Sequence, residues 1–287
     1  MKVIHLYTPK RGVRFYSKVK GILKNSLEKV EYTYFTDKKY FFEELSRELD
    51  EYDVVLILAH GAEDSIIVPR PYWDALNHDT PYKRYIFIED TDKLKRDFVF
   101  SVACCTAMEF GPKAIENGAL SYLGYDIGIE RIFSVQDLKI AKKVRKFYEL
   151  QIKKIFVEEL ADAINRFIYE FHSVNMLKQN FLFRLEKRLI RLFNMTAQEI
   201  REEYNYGIDE NIWNKEKPKL RMLQLNFLDE LGQHMIICGD PNYIPIVGFS
   251  QKKKMDKNIM KRLELAHFED KQYEKEFHNL FREIVRQ

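Results

Sequence analysis

Over its first 130 or so residues the chain alternates short, continuously apolar runs with amphipathic ones. Val3–Tyr7 is a strand candidate, Val54–Leu58, Phe98–Ala103 and Ala119–Leu123 are continuous, mainly apolar runs, and Val30–Phe35 and Tyr85–Ile88 are rich in β-branched and aromatic residues. These six runs are predicted strands. Between them, Tyr16–Leu27 carries Val19, Ile22 and Leu23 on one helical face, and Tyr40–Leu49 places Phe41, Leu45 and Leu49 four apart. Glu109–Asn117 reads as a helix closed by Gly118, a residue free to take the left-handed stop. Strands that are apolar throughout are buried on both faces, and their alternation with helices predicts a parallel sheet covered on each side. The expected class is α/β, doubly wound and mostly parallel, flanked by helices.

After about Val135 the period changes. From Asp137 to Phe171, apolar residues from Ile140 and Val144 to Phe167 and Phe171 keep a three-to-four spacing, which predicts one long helix or two in succession. Phe181–Phe193 follows the same rule, and Thr196 with Glu199 forms a capping box for a helix starting at Ala197. Gly207 and Pro218 are expected to punctuate a polar connector. Met235–Cys238, followed by Gly239-Asp240-Pro241, is expected to be a further strand ending in a turn. Residues from Met255 to Val285 read as a charged terminal helix, and Lys252–Lys254 as a solvated loop. The expected organisation is therefore a core from 1 to 134, a helical insertion at 135–233, a closing strand and turn at 234–250, and a C-terminal helix at 251–287.

Composition narrows the classes of function. Of the 287 residues 46% are hydrophobic, enough for a real core and incompatible with a disordered tail or fibrous repeat. The net charge is only +3, so nothing in the bulk charge favours nucleic acid. Three cysteines, two adjacent, make neither a disulfide framework nor a CxxC zinc site. No apolar run approaches the roughly 18 residues of a membrane span, and MKVIHLYTP is no signal region. The expectation is a cytoplasmic protein without metal or cofactor, acting on neither membranes nor nucleic acid.

Two strand ends carry reactive groups. Val54–Leu58 runs into Ala59-His60-Gly61, and Phe98–Ala103 into Cys104-Cys105. In a parallel sheet the carboxyl ends of the strands share one edge, where ligands bind, so a histidine and a cysteine at two such ends can meet. An imidazole can deprotonate a thiol of pKa near 8.5 or polarise a scissile bond. Gly61 lets a backbone N–H approach a substrate carbonyl, and that amide with the amide of Cys104 would form an oxyanion hole. Cys104 is the expected nucleophile from its register on the strand, with Cys105 the alternative. Asp126, after the next strand, and Asp240 are candidates for holding a cationic substrate side chain, whereas Glu63 and Asp64 are expected to be solvated. Metal binding by His60 and Cys104 lacks further ligands at suitable spacing. A nucleotide-binding reading lacks a glycine-rich phosphate loop, since Gly12 and Gly21 are not spaced for one.

The segments VVLILAHGAEDSI and FVFSVACCTAMEFGPKAIENGALSYLGYD, with MIICGDPNYIPI later in the chain, resemble the caspase-like (clan CD) cysteine peptidases. The CHAT, gingipain and clostripain branches are the nearest look-alikes. The resemblance covers residues 1 to about 126 and again about 234 to 246. It implies that Cys104 attacks the scissile carbonyl and His60 protonates the leaving amine. It further implies a pocket beside the cysteine, where Asp126 would favour Arg or Lys, a protein substrate, and restraint by a regulatory partner in a bacterial defence or signalling assembly. Cys105 and Thr106 stand where many members have a small residue and a glycine. A non-catalytic scaffold or protein-binding module on the same fold is the alternative.

Overall fold

A computed structural model describes residues 2–7, 14–26, 31–36, 52–67, 84–94, 98–129, 133, 139–170 and 172–245. The expected helices at Tyr40–Leu49 and Met255–Val285 and the Lys252–Lys254 loop lie outside these residues.

The chain begins with strand β1 (Lys2–Tyr7), helix α1 (Ser17–Ser26), β2 (Glu31–Thr36) and β3 (Val54–Leu58). Three short strands follow: β4 (His60–Ala62), β5 (Ser65–Ile67) and β6 (Arg84–Phe87). Next come β7 (Phe98–Ser101), α2 (Phe110–Glu116) and β8 (Ser121–Tyr125). Four helices then run in succession, α3 (Lys142–Tyr169), α4 (Val174–Asn194), α5 (Ala197–Tyr204) and α6 (Glu210–His234), before β9 (Met235–Gly239). The main sheet has the order β2-β1-β3-β7-β8-β9. Its first five strands are parallel, and β9 runs antiparallel along β8. This is the mostly parallel, helix-flanked α/β architecture that the apolar runs predict.

Alternation along each strand divides the core into two layers. Val54, Leu56 and Leu58 pack with Val19 and Leu23 of α1 and with α3, while Val55, Ile57 and Ala59 pack with Phe110 and Ala114 of α2. Ring contacts seal the first layer, with Phe98 on Phe167 at 4.6 Å and Tyr16 on Phe156 at 6.1 Å. The helical residues 142–234 therefore share one core with the sheet. Helices α3 and α4 are locked by buried Glu159, which accepts from Arg184 Nε and Arg188 Nη1, each at 2.9 Å.

Two sequence expectations change. Tyr85–Ile88 does form a strand over Arg84–Phe87, but it pairs antiparallel with β5 in a separate three-stranded sheet, β4-β5-β6. Strands β4 and β5 have three residues each, too few for a period to register. The expected connector around Gly207 and Pro218 is in large part helix: α6 runs unbroken from Glu210 to His234 with Pro218 inside it. Proline removes one backbone hydrogen bond. Burial of Trp213 and Leu220 on either side of it, with Phe227 and Leu231 beyond, holds the helix together. Its start is capped by Asp209 Oδ1, which accepts from Ile212 N at 3.0 Å.

The Thr196 capping box forms as expected. Thr196 Oγ1 accepts from Glu199 N at 3.1 Å, and Glu199 Oε2 accepts from Thr196 N at 2.6 Å. Thr196→Ala should lower stability by about 1 kcal/mol in urea unfolding, with an unchanged m-value.

Candidate active site

Strands β3 and β7 are direct neighbours, which puts their carboxyl ends side by side. Val54 pairs with Phe98 and Ile57 with Ser101. His60 and Cys104 each stand three residues beyond the last of these pairs, His60 at the start of β4 and Cys104 in a turn. Val102 N donates to Ile57 O at 2.7 Å, extending the ladder beyond the strand itself. At His60 the chain leaves the main sheet and becomes β4, whose hairpin with β5 turns at Glu63-Asp64. The tip of this hairpin is tied to the start of α2, since Phe110 N donates to Glu63 O at 2.9 Å.

The two reactive segments touch at Gly61. A Cβ placed there would lie 2.6 Å from Cys104 O, 2.7 Å from Thr106 Cγ2 and 2.8 Å from Ala103 Cβ. The glycine is needed for closeness: its backbone lies against the cysteine turn with no room for a side chain.

The turn from Ala103 to Glu109 is held by buried hydroxyls. Ser101 Oγ donates to Thr106 Oγ1, and Thr106 Oγ1 donates to Ala103 O, each at 3.1 Å. Both residues are fully buried. Cys105 lies in the left-handed region at φ 60°, a conformation that costs a non-glycine residue roughly 1–3 kcal/mol and must be imposed by its surroundings. Those surroundings are visible in its bonds, with Cys105 N donating to Ile127 O at 3.1 Å and Ala107 N to Tyr125 O at 3.0 Å. Both Cys104 and Cys105 are half-buried. Burial, then the nearby Glu63 and Asp126 carboxylates, push the Cys105 thiol above its usual range. Cys105 is thus disfavoured as a thiolate at neutral pH.

Of the expected site residues, His60, Gly61, Cys104 and Asp126 all lie at this edge of the sheet. Asp240 does not. It follows Gly239, which pairs with Ser121 at the opposite end of β8, and its Oδ1 accepts from Asn242 N at 2.8 Å within its own turn. A turn at the amino end of β8 cannot serve a pocket beside Cys104. Glu63, expected to be only solvated, is exposed at the hairpin tip yet its charge reaches Cys105.

The sequence reading missed Ser101, Thr106 and His234. His234 ends α6, and its Nδ1–H donates to Asp126 Oδ1 at 2.8 Å, while Asp126 N donates to His234 O at 3.2 Å. Each of the two side chains is 34% exposed. Among the described residues no cluster of three or more His, Cys, Asp or Glu side chains is arranged to hold a metal. No described helix is long and apolar enough to cross a membrane.

No family model matches the sequence, and no curated protein matches it. Among solved structures the chain is similar to the crystal structure of the Arg specific cysteine proteinase gingipain R, with a TM-score of 0.44 and 11% identity. That likeness covers 85% of this chain and 47% of the other, so the chain spans about half the length of that structure.

Proposed function

We propose that the protein is a cysteine endopeptidase that cleaves a protein partner through His60 and Cys104. The observation that carries this reading is the contact between Gly61 and the Cys104 carbonyl at the ends of two neighbouring parallel strands. In this reading the Cys104 sulfur attacks the scissile carbonyl carbon, and the amides of Gly61 and Cys104 stabilise the oxyanion. His60 accepts the thiol proton and delivers it to the leaving amine as the C–N bond breaks, which leaves a thioester on Cys104. Water then hydrolyses the thioester and frees the thiol. Cys105 serves the turn rather than the chemistry, in keeping with its raised thiol pKa.

Asp126 takes the cationic side chain before the cut, Arg or Lys, through Oδ2, its Oδ1 being bound to His234. Such a protease would be kept inactive by a regulatory protein partner in a bacterial defence or signalling assembly, until that partner is triggered.

The test is a panel of peptidyl electrophiles carrying Arg, Lys, Asp or Leu at the reactive position. Arg and Lys probes should label the full chain fastest. Loss of one charged hydrogen-bond partner is worth roughly 1.5–3 kcal/mol. Asp126→Asn should therefore slow the Arg probe by about 10- to 100-fold and leave the Leu probe unchanged. An equal effect on both probes would remove Asp126 from the pocket. Labelling by no probe, with or without proteins from the same operon, would reject the peptidase.

A further inference from the structure

We infer that His234 is a positioning residue for the cysteine turn, the point at which the helical layer sets the geometry of Cys104. The inference rests on the reading of Cys104 as the nucleophile. The carbonyls of Tyr125 and Ile127, one on each side of Asp126, accept the amides of Ala107 and Cys105. The turn that carries the thiol thus hangs from the end of β8 by two bonds that straddle Asp126. Asp126 is fixed in turn at two points by a single residue, through its carboxylate to the His234 ring and through its amide to the His234 carbonyl. No other described residue bridges both points.

His234 is well placed to transmit position. It is the last residue of α6, which passes into β9 without a loop. The joint is clamped from α4, where Lys178 Nζ donates to Met235 O at 2.6 Å. Leu231 and Phe227, one and two turns back, are buried in the helical core, with Phe227 against Phe133 at 5.4 Å. A shift of α6 along its axis therefore moves His234, then the 125–127 segment, then the turn. Cys105 makes this path sensitive. Its left-handed backbone persists only while the bond to Ile127 O holds it, so slackening the strand end lets the turn relax. The His234–Asp126 pair is partly exposed, so its loss should scarcely alter global stability.

The experiment uses the full chain in a Cys105→Ala background, comparing His234→Ala and His234→Asn. Asparagine places an amide N–H where Nδ1–H stands, and so keeps the bond to Asp126. The readouts are the iodoacetamide alkylation rate of Cys104, located by mass spectrometry, the thermal midpoint, and kcat and KM for a peptide. His234→Ala should slow alkylation and kcat about tenfold, with the midpoint close to the parent, and His234→Asn should restore both rates. Three results would each overturn the inference: unchanged alkylation in His234→Ala, an Asn variant as slow as the Ala variant, or an effect confined to KM for Arg peptides. If the parent cleaves no peptide while alkylation still falls in Ala and recovers in Asn, the positioning role stands and the peptidase reading fails.

Discussion

Cys104→Ala is expected to abolish inactivation by a peptidyl electrophile and to lower peptide turnover by at least about a thousandfold, the scale of losing a covalent nucleophile. His60→Ala should cost about 10²- to 10⁴-fold, as removal of a general acid–base does. Cys105→Ala should stay within a few-fold of the parent. The asymmetry between adjacent thiols follows from the turn. Cys104 opens the turn after β7 and has its carbonyl packed on Gly61. Cys105 is rotated into the left-handed region, and burial with Glu63 and Asp126 keeps its proton on. Steady-state hydrolysis of a fluorogenic Arg peptide measures all three variants, and a Cys105→Ala loss as deep as that of Cys104→Ala would exchange the two roles.

Gly61→Ala should be damaging out of proportion to one methyl. The added Cβ would meet the Cys104 carbonyl, which cannot rotate away as the tip of a side chain can. Overpacking of this kind costs roughly 1–3 kcal/mol of stability. Any relief must come from moving the nucleophile's own backbone, and a displacement near 1 Å is enough to lower turnover about 100-fold. Thr106 supplies the second close atom, Cγ2 at 2.7 Å. Thr106→Ser deletes that methyl and keeps the hydroxyl that bonds Ser101 and Ala103. The double variant Gly61→Ala/Thr106→Ser should therefore regain part of the lost stability, a non-additivity that urea unfolding of the four proteins detects. Strict additivity would mean that the clash is relieved elsewhere.

Much of the fold is legible in the sequence because its signals are local. Val54–Leu58 and Phe98–Phe100 are apolar at every position because both faces are covered, and Gly118, at φ 104°, ends α2 where its position suggests. Thr196 and Glu199 mark a helix start through bonds made within four residues. What escaped notice depends on distant packing. The helix through Pro218 exists because Trp213, Leu220, Phe227 and Leu231 are buried by other helices, which outweighs one local defect.

The site divides in the same way. His60, Gly61 and Cys104 are visible because each ends or follows an apolar strand, and parallel topology brings such ends to one edge. His234 is hidden at the end of a helix read in part as a connector. One signal points to it: Met235–Cys238 is legible as a strand, and pairing it antiparallel with Ser121–Tyr125 places the preceding residue beside Asp126. Direction, not identity, was the missing information. The same antiparallel pairing carries Asp240 to the far edge of the sheet, away from the cysteines.

The most direct test of the account is to treat the full chain with an Arg-bearing peptidyl electrophile and locate the adduct by peptide mass spectrometry. The account predicts a single adduct on Cys104, absent from Cys104→Ala, much reduced in His60→Ala and retained in Cys105→Ala. An adduct on Cys105 or Cys238, or equal labelling of His60→Ala and the parent, would contradict the His60–Cys104 pair and leave the fold as a binding module.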